Sequence, residues 1–351
     1  MQRLITYSEA INDALHTSMK FDKKVICMGL GINDPKNIFG TTKNLLKKFG
    51  KNRVFDMPTS ENAMTGIGIG LSLDKYKVVI THQRLDFILL AMDQIINGAA
   101  KWYYMFGGKD NVSITFRLIV GRGWGQGPTH SQSLQSLFAH IPGLKVVMPS
   151  SAYDAKGLLI SSIFDKNPVI YIEHRWLHSM TGNVPKKKYE LELGTPKKIL
   201  NGKHLTIVAM SYMTIEALNS ANFLKKYNIH CEIIDLRTVS PINYKIIFSS
   251  IKKTKRLMVL DTSNKSYSIA SEIVAVCCEN IFNHLISPPK ILGLPNIPIP
   301  TSFGMTKDLY PESKDIINEV LKLMNIKASI PNDKFLDHMH DVPHKKFKGP
   351  F

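Results

Sequence analysis

The sequence has few of the residues and patterns that mark secreted, membrane-embedded or disulfide-rich proteins. Only four residues are cysteines, Cys27, Cys231, Cys277 and Cys278, and their spacing fits neither a disulfide framework nor a Cys-x-x-Cys pair. Such cysteines are typical of reduced residues in a cytosolic protein. No apolar run approaches the length of a membrane span, and no secretion or transit segment is evident. We therefore expect a cytoplasmic protein that does not bind membranes.

Acidic residues are also scarce, with 28 Asp and Glu against 45 Lys and Arg, which gives a net charge of +17. The lysines are scattered and are not interleaved with aromatic residues that could stack on bases. This pattern favours a solvated surface and an acidic protein partner over nucleic acid. The sequence has no phosphate-binding loop, no His-Glu-x-x-His motif and no serine nucleophile elbow. These absences exclude several common nucleotide-binding, zinc-dependent and hydrolytic sites.

The first half of the chain alternates short apolar strands with helices, and Thr6 and Glu9 predict a capping box at the first helix. This order predicts an α/β domain over residues 1–175, with a mostly parallel sheet and ligands at the carboxyl ends of its strands. The predicted strands are Lys24–Leu30, Arg53–Met57, Lys77–Thr81, Val112–Val120, Leu144–Met148 and Pro168–Glu173. The predicted helices are Thr41–Phe49, Ser60–Leu73, Asp86–Tyr104, Ser133–His140 and Ala152–Phe164.

Glycine and proline interrupt this rhythm at residues 176–203, which we interpret as a linker. A second alternation over residues 204–328 predicts a second α/β domain. Its predicted strands are Leu205–Met210, His230–Leu236 and Arg256–Asp261, and its predicted helices are Thr214–Tyr227, Tyr244–Lys252, Ser268–Phe282 and Ser313–Met324. The tail at 329–351 has no periodicity, and we expect its histidines to be exposed beside lysines and not to bind metal.

A single carboxylate, Glu61, opens a stretch that otherwise reads as a buried helix. Ser60 before it is a good N-cap residue. Gly66, Gly68 and Gly70 remove side-chain bulk and let another backbone or a flat ligand come close. From this stretch alone, Glu61 is either a group whose protonation is tuned for chemistry or a first-turn acid that complements the helix dipole.

The second candidate site is the glycine-rich loop that ends in His130. Its glycines do not have the spacing of a dinucleotide-binding loop, so they indicate a mobile or closely packed segment. We expect the following helix to begin just after His130, where an imidazole can stay neutral and exchange a proton. The alternative is a surface turn with an incidental histidine.

Short blocks distributed along the chain carry a family resemblance. They are Ser60-Glu61, Leu85-Asp86-Phe87, Asp93–Asn97, Ala99–Lys101, His130–Ser133, Pro142–Val147, Asp154–Leu158 and Asp165–Val169. Together they closely resemble the β subunits of thiamine-diphosphate-dependent 2-oxo acid dehydrogenases, the pyruvate, acetoin and branched-chain group of the transketolase-like superfamily. The resemblance implies an α/β fold in which a doubly wound thiamine-pyrimidine-binding domain is followed by a transketolase C-terminal type domain.

The resemblance also implies roles for four residues. Glu61 is expected to share a proton with the pyrimidine ring nitrogen of thiamine diphosphate, which favours the imino tautomer that deprotonates the cofactor. Leu85 and Phe87 are expected to bind the cofactor, with the Phe87 ring packed on the pyrimidine. His130 is expected to handle substrate or acyl-group protons on the thiazolium side.

Ion and subunit requirements follow from the same resemblance. The family binds a monovalent cation, usually K⁺, at positions that match Ile114, Ser162, Ile163, Asp165 and Asn167. It holds the diphosphate and Mg²⁺ through a Gly-Asp-Gly motif on another domain, and that motif is absent here. We therefore expect an α subunit that supplies Mg²⁺ binding, a two-α two-β heterotetramer, and a lipoyl acyltransferase or another acceptor as partner.

Three basic residues depart from the family pattern near the expected site: His82, Arg84 and Arg122. We interpret them as substrate-binding residues that favour a more polar substrate than a branched-chain oxo acid. The alternative is sequence drift in a basic, lysine-rich protein. The main function is decarboxylation of a 2-oxo acid with transfer of the acyl group. Two alternatives stay open: a split transketolase-like enzyme for carbon–carbon transfer on a sugar or nucleotide sugar, and a non-catalytic scaffold.

Overall fold

The protein is represented by a computed structural model that describes residues 2–121, 126–306 and 309–327. These residues form two compact units. The first comprises residues 2–121 and 137–193, and the second comprises the remaining described residues. Both units are built from parallel strands and helices, so the α/β class predicted from the sequence is confirmed.

The first unit contains the elements of the first alternation. Its described strands are β1 (Gln2–Thr6), β2 (Val25–Gly29), β3 (Val54–Asp56), β4 (Lys77–His82), β5 (Ile114–Val120), β6 (Lys145–Val147), β7 (Val169–His174) and β8 (Thr181–Pro185). Its described helices are α1 (Tyr7–Phe21), α2 (Leu45–Phe49), α3 (Glu61–Leu73), α4 (Ala100–Met105), part of α5 (Gln135–Ala139) and α6 (Ala152–Phe164). The predicted capping box of Thr6 and Glu9 is present at the start of α1.

Six of these strands form a parallel sheet in the order β6, β7, β5, β4, β2, β3. Strands β2, β5 and β7 are buried at every residue, as expected for a sheet covered on both faces. Helices α1 and α6 pack together. Because the strands are parallel, the carboxyl ends of β4, β5 and β7 lie at one edge of the sheet.

Two predicted helices of the first unit are wrong in extent or type. The predicted helix 41–49 is helical only in α2, because Thr41 and Thr42 donate side-chain hydrogen bonds to the carbonyls of Ile38 and Ile32 and Asn44 is left-handed. The predicted helix 86–104 is a 3₁₀ segment, a π segment and α4 in succession. The π segment holds Gly98, where the backbone packs closely on α3.

The second unit contains a five-stranded sheet. The described strands of this unit are β9 (Lys197–Leu200), β10 (Leu205–Ala209), β11 (Cys231–Asp235), β12 (Thr238–Ser240), β13 (Leu257–Asn264) and β14 (Lys290–Leu294), and all of them except β12 belong to this sheet. The sheet order is β14, β13, β10, β11, β9, with only β9 antiparallel. Its described helices are α7 (Met213–Leu224), α8 (Lys245–Thr254), α9 (Ile269–Ile281), α10 (Phe303–Thr306) and α11 (Ser313–Leu323). Helices α7 and α11 pack together over its apolar core.

The sequence pattern missed five strands, β1, β8, β9, β12 and β14. Strands β8 and β9 lie within residues 176–203, and β1 pairs with β8 from Gln2 opposite Pro185 to Thr6 opposite Thr181. These strands are short and are not markedly apolar, so their pairing partners decide their structure. None of the helices in the described ranges has the length and apolar character that crossing a bilayer requires.

Candidate active site

Glu61 is the first residue of α3 and is buried, with only 6% of its surface exposed. Ser60 occupies the N-cap position, but its side chain makes no capping hydrogen bond, so the predicted Ser60 cap is wrong in that respect. Within the described part of the chain, the Glu61 carboxylate forms no hydrogen bond or ion pair. A buried carboxylate with unused hydrogen-bonding capacity is suited to bind a ligand that carries a donor group.

The glycines that follow Glu61 have different surroundings. A Cβ on Gly68 would lie 2.7 Å from the Cδ1 atom of Ile80, so Gly68 lets α3 pack closely on the sheet. A Cβ on Gly66 would lie 3.4 Å from the side-chain oxygen of Gln94, and a Cβ on Gly70 would meet no atom within 4 Å. The close approach predicted for all three glycines therefore applies most strongly to Gly68.

His82 is the last residue of β4 and is completely buried. Ile80 faces α3, and side chains two residues apart lie on one face of a strand, so His82 lies on the face that α3 covers. Neither ring nitrogen of His82 has a hydrogen-bond partner in the described ranges. Burial lowers the pKa of His82 to about 4, so the imidazole is neutral near pH 7.

Leu85 and Phe87 belong to the 3₁₀ segment 85–91, which packs against α3. Leu85 is completely buried, whereas Phe87 is half-buried. The structure thus brings the helix of Glu61 together with the segment that carries both predicted cofactor residues.

Arg84 and Arg175 lie near each other at the same edge of the sheet, and both are buried. An Nη atom of Arg84 donates to the carbonyl of Gly121 at 3.4 Å, and a Cβ on Gly121 would lie 3.2 Å from the Cβ of Arg175. The Arg175 guanidinium lies 4.1 Å from the centre of the Phe39 ring. Burial and the neighbouring Arg84 lower the pKa of Arg175 to about 9.

Sequence reasoning did not single out Arg175. It lies two residues after the predicted strand Pro168–Glu173, and the rule that ligands gather at the carboxyl ends of parallel strands could have identified it. Arg122, the third predicted substrate residue, lies outside the described residues.

A buried ion pair lies one strand away from His82. Arg117 donates to Glu173 at 2.5 Å and to the hydroxyl of Thr41 at 2.5 Å, and His178 lies 3.4 Å from the second Glu173 oxygen. Although burial opposes it, the Arg117 and His178 side chains hold the pKa of Glu173 below its ordinary value. This network fixes the loop of Thr41 to the sheet and has the character of a structural support.

His130 lies in the second unit, so it is described apart from Glu61. Its Nδ1 atom is 2.9 Å from the hydroxyl of Thr129, and its N–H donates to the carbonyl of Gly127. The helix predicted over 133–140 is the shorter α5, which begins at Gln135. The helix therefore begins five residues after His130 and not just after it, and the Ser133 side chain ahead of it bonds to Thr262 of β13.

The residues predicted to bind a monovalent cation lie at the opposite edge of the first unit's sheet: Ile114, Ser162, Ile163, Asp165 and Asn167. The Asp165 carboxylate pairs with Lys145 at 2.5 Å and accepts the Asn167 N–H at 2.9 Å. The Asp165 carbonyl accepts the Ser113 hydroxyl. Because the carboxylate is engaged, any cation at this position would have to be bound by backbone carbonyls. In the described ranges no cluster of three or more His, Cys, Asp or Glu side chains could hold a metal ion.

Comparisons with family models and with known proteins all point to the same family. Residues 3–179 match the transketolase pyrimidine-binding domain, and residues 194–316 match the transketolase C-terminal domain. The chain is 36% identical over 323 residues to the pyruvate dehydrogenase E1 component subunit beta of Rickettsia bellii (strain RML369-C), which covers 92% of this chain and 99% of the relative.

A second relative has a different name. The acetoin:2,6-dichlorophenolindophenol oxidoreductase subunit beta of Bacillus subtilis (strain 168) is 36% identical over 340 residues, covering 93% of this chain and 99% of the relative. Among solved structures, a split-gene transketolase described as an inactive beta4 tetramer matches with a TM-score of 0.74 and 19% identity. That match covers 92% of this chain and 99% of the other, and it supports the fold alone.

Proposed function

The chain belongs to the family of pyruvate dehydrogenase and acetoin dehydrogenase β subunits, and on this basis we propose that it is the β subunit of a thiamine-diphosphate-dependent 2-oxo acid dehydrogenase. In this function the enzyme decarboxylates a 2-oxo acid and passes the acyl group to a lipoyl group or another acceptor. The observation that carries the proposal is Glu61, a buried carboxylate at the head of α3 without a hydrogen-bond partner in the described part of the chain.

Thiamine diphosphate, when bound, supplies a carbon nucleophile and an electron sink for decarboxylation. The role of Glu61 in this proposal is to hold a proton between its carboxylate and the pyrimidine ring nitrogen. Its burial supports that role, because a low-dielectric environment strengthens such a hydrogen bond. Leu85 and Phe87 line the pyrimidine, and the half-buried Phe87 supplies an aromatic ring of the kind that stacks on flat heterocycles. His130 handles the protons of the substrate or acyl group.

The partner in this proposal is an α subunit. It binds Mg²⁺ and the diphosphate through a Gly-Asp-Gly motif that this sequence lacks, and two copies of each chain form a heterotetramer. The family membership of the chain supports an α partner. The stoichiometry and the lipoyl acyltransferase partner are proposals that rest on the family resemblance.

A bound K⁺ is a further part of the proposal. Its ligands are backbone carbonyls among the positions Ile114, Ser162, Ile163, Asp165 and Asn167, because Lys145 already engages the Asp165 carboxylate. Carbonyl oxygens suit a hard monovalent cation. Thermal unfolding of the chain in matched KCl and choline chloride tests this site: K⁺ should raise the Tm, and equal Tm values would argue against it.

The substrate in this proposal contacts His82, Arg84 and Arg122. His82 is a neutral buried imidazole with both nitrogens unpaired in the described ranges, and Arg84 adds buried positive charge at the same edge of the sheet. These groups suit a substrate with a second anionic or hydroxylated group better than an aliphatic side chain. The same features favour carbon–carbon transfer on a sugar or nucleotide sugar as the second candidate function.

Reconstitution tests both functions. The chain is mixed with an α subunit that carries the Gly-Asp-Gly motif and is assayed with pyruvate, branched-chain oxo acids and phosphorylated sugar donors. We expect thiamine-diphosphate-dependent decarboxylation of a 2-oxo acid, with a substrate ranking that changes in Arg84→Ala and Arg122→Ala. Turnover of sugar donors alone would select the second function, and a mixture inactive on all substrates would contradict both.

A further inference from the structure

The loop that carries His130 belongs to the second unit, and other residues of that unit hold it in place on both sides of the histidine. On the carboxyl side, Gln135 is completely buried, and its amide donates to a carboxylate oxygen of Asp261 at 2.6 Å and to the hydroxyl of Thr262 at 3.0 Å. The Ser133 hydroxyl lies 3.0 Å from the same Thr262 hydroxyl and donates to the Gln135 side-chain oxygen at 2.8 Å. The loop thus has three side-chain hydrogen bonds to residues of β13.

Asp261 is the centre of this cluster. Besides Gln135, it accepts hydrogen bonds from the backbone N–H and hydroxyl of Ser263, and from the N–H of Ala270 in the first turn of α9. Burial raises the pKa of the Asp261 carboxyl, while these hydrogen bonds oppose the shift. Gln135 and the two Ser263 groups donate to one carboxylate oxygen, and the Ala270 N–H donates to the other. A buried carboxylate held by four donors is a rigid anchor, because each donor lost removes a hydrogen bond to a buried charge.

On the amino side of His130 the loop is held by close packing. Gly127 has a φ of +71°, and a Cβ at this position would lie 2.5 Å from the hydroxyl oxygen of Thr301. Only glycine combines this backbone conformation with this approach. The His130 N–H donates to the Gly127 carbonyl, and this hydrogen bond ties the histidine backbone to the closely packed glycine.

We infer that Gln135 and Asp261 are positioning residues that hold the loop of His130 against the end of β13 and thereby fix the imidazole for proton transfer. The inference deepens the proposed function and rests on it for the role of His130. Neither residue touches the reacting atoms. The charged hydrogen bond of Gln135 matters because small displacements of a catalytic group lower the rate strongly.

Hydrogen–deuterium exchange of the full chain tests whether these residues hold the loop. Gln135→Leu removes both amide bonds with little change in volume, and Ser133→Ala removes only the hydroxyl. We expect exchange in peptides covering residues 126–136 to rise about tenfold in Gln135→Leu, the factor expected for losing one hydrogen bond to a charged group, and less in Ser133→Ala. Ser136→Ala, the same chemical change at a side chain with no hydrogen bond in the described ranges, is the matched control. Unchanged exchange in Gln135→Leu would overturn the inference.

A double-mutant cycle in the reconstituted complex tests the positioning role. Gln135→Leu should lower kcat about tenfold, with the KM and the thiamine diphosphate affinity within about twofold of wild type. In a His130→Ala background the same substitution should have no further effect on kcat, because its consequence passes through the histidine. A further tenfold loss in that background would show that Gln135 acts elsewhere and would overturn the inference.

Failure of the proposed function gives a different result. A wild-type complex without thiamine-diphosphate-dependent turnover would contradict that function and, with it, the positioning role. The exchange experiment does not need activity, so it still decides whether the side-chain bonds of Gln135, including the one to Asp261, hold the loop.

Discussion

At the scale of single residues, Glu61 is the side chain whose proposed role can be tested most directly. It is buried at the head of α3 and lacks a hydrogen-bond partner in the described ranges. Its carboxylate therefore contributes no hydrogen bond there that would stabilise the fold. Replacing the acid by its amide therefore separates proton sharing from packing.

Glu61→Gln should fold normally and reduce the turnover of the reconstituted complex by about a hundredfold or more, the factor of general acid–base catalysis. The amide keeps the size of the side chain but cannot share an acidic proton with the pyrimidine. Steady-state kinetics with saturating cofactor measures the loss, and circular dichroism checks the fold. Glu279→Gln, the same change on an exposed face of α9, is the control. Wild-type turnover in Glu61→Gln would show that the acidic proton of Glu61 is not needed for catalysis and that its role is structural.

His82 should make stability depend on pH. Its pKa is about 4 in the folded chain and about 6.5 in the unfolded chain, so between these values only the unfolded state binds the proton. The stability associated with its neutral form is complete above about pH 6.5 and is lost as the pH falls towards 4. Between pH 6 and pH 5 we expect His82 to lower the unfolding free energy by about 1 kcal/mol.

Urea denaturation of the chain at both pH values measures this dependence. His82→Phe should flatten the pH dependence by about that amount, whereas His140→Phe, at an exposed site, should leave it unchanged. Equal slopes for wild type and His82→Phe would mean that the imidazole is solvated and protonated in the folded chain.

At the scale of elements, helix α3 depends on two glycines in opposite ways. Gly68→Ala should destabilise the chain by about 1 kcal/mol or more, because its Cβ would lie 2.7 Å from Ile80 and 3.1 Å from Ile114. Gly70→Ala should stabilise it by about 0.5–1 kcal/mol, because the position is open and alanine favours the helix. Urea midpoints of the two variants measure the difference. A stabilising Gly68→Ala would show that α3 can move away from the sheet.

Elements with a clear apolar period could be predicted from the sequence, whereas those that depend on distant partners could not. Helix α6 has the predicted bounds, and β10 and β11 differ from prediction by a residue or two at their ends. Strand β1 forms by pairing with a segment more than 170 residues away, which no local pattern can indicate. The 3₁₀ and π segments before α4 arise from packing on α3, and helix propensity alone does not distinguish them from an α-helix.

The candidate site shows the same division. The sequence identified Glu61 and His130 from their local surroundings and Phe87 through a family resemblance, and the roles of these residues are still predictions. The partners that hold the loop of His130, Gln135 and Asp261, are separated by 126 positions and carry no motif. The strand-end rule could have placed Arg175 near the site, but its burial beside Arg84 is a property of the folded sheet that its sequence neighbours do not show.

At the scale of the whole molecule, the chain matches both transketolase-type domains of its family and lacks the Gly-Asp-Gly motif that holds the diphosphate. We therefore propose that it supplies the pyrimidine side of a thiamine diphosphate site and that a partner supplies the metal side. The central claim is that this chain is half of an active site that an α subunit completes.

Titration calorimetry with thiamine diphosphate and Mg²⁺ tests this claim most directly. The chain is titrated alone and in complex with the α subunit. We expect weak binding that does not depend on Mg²⁺ for the chain alone, and tight Mg²⁺-dependent binding for the complex, because only the complex contains both halves of the site. Tight Mg²⁺-dependent binding by the chain alone would contradict the claim.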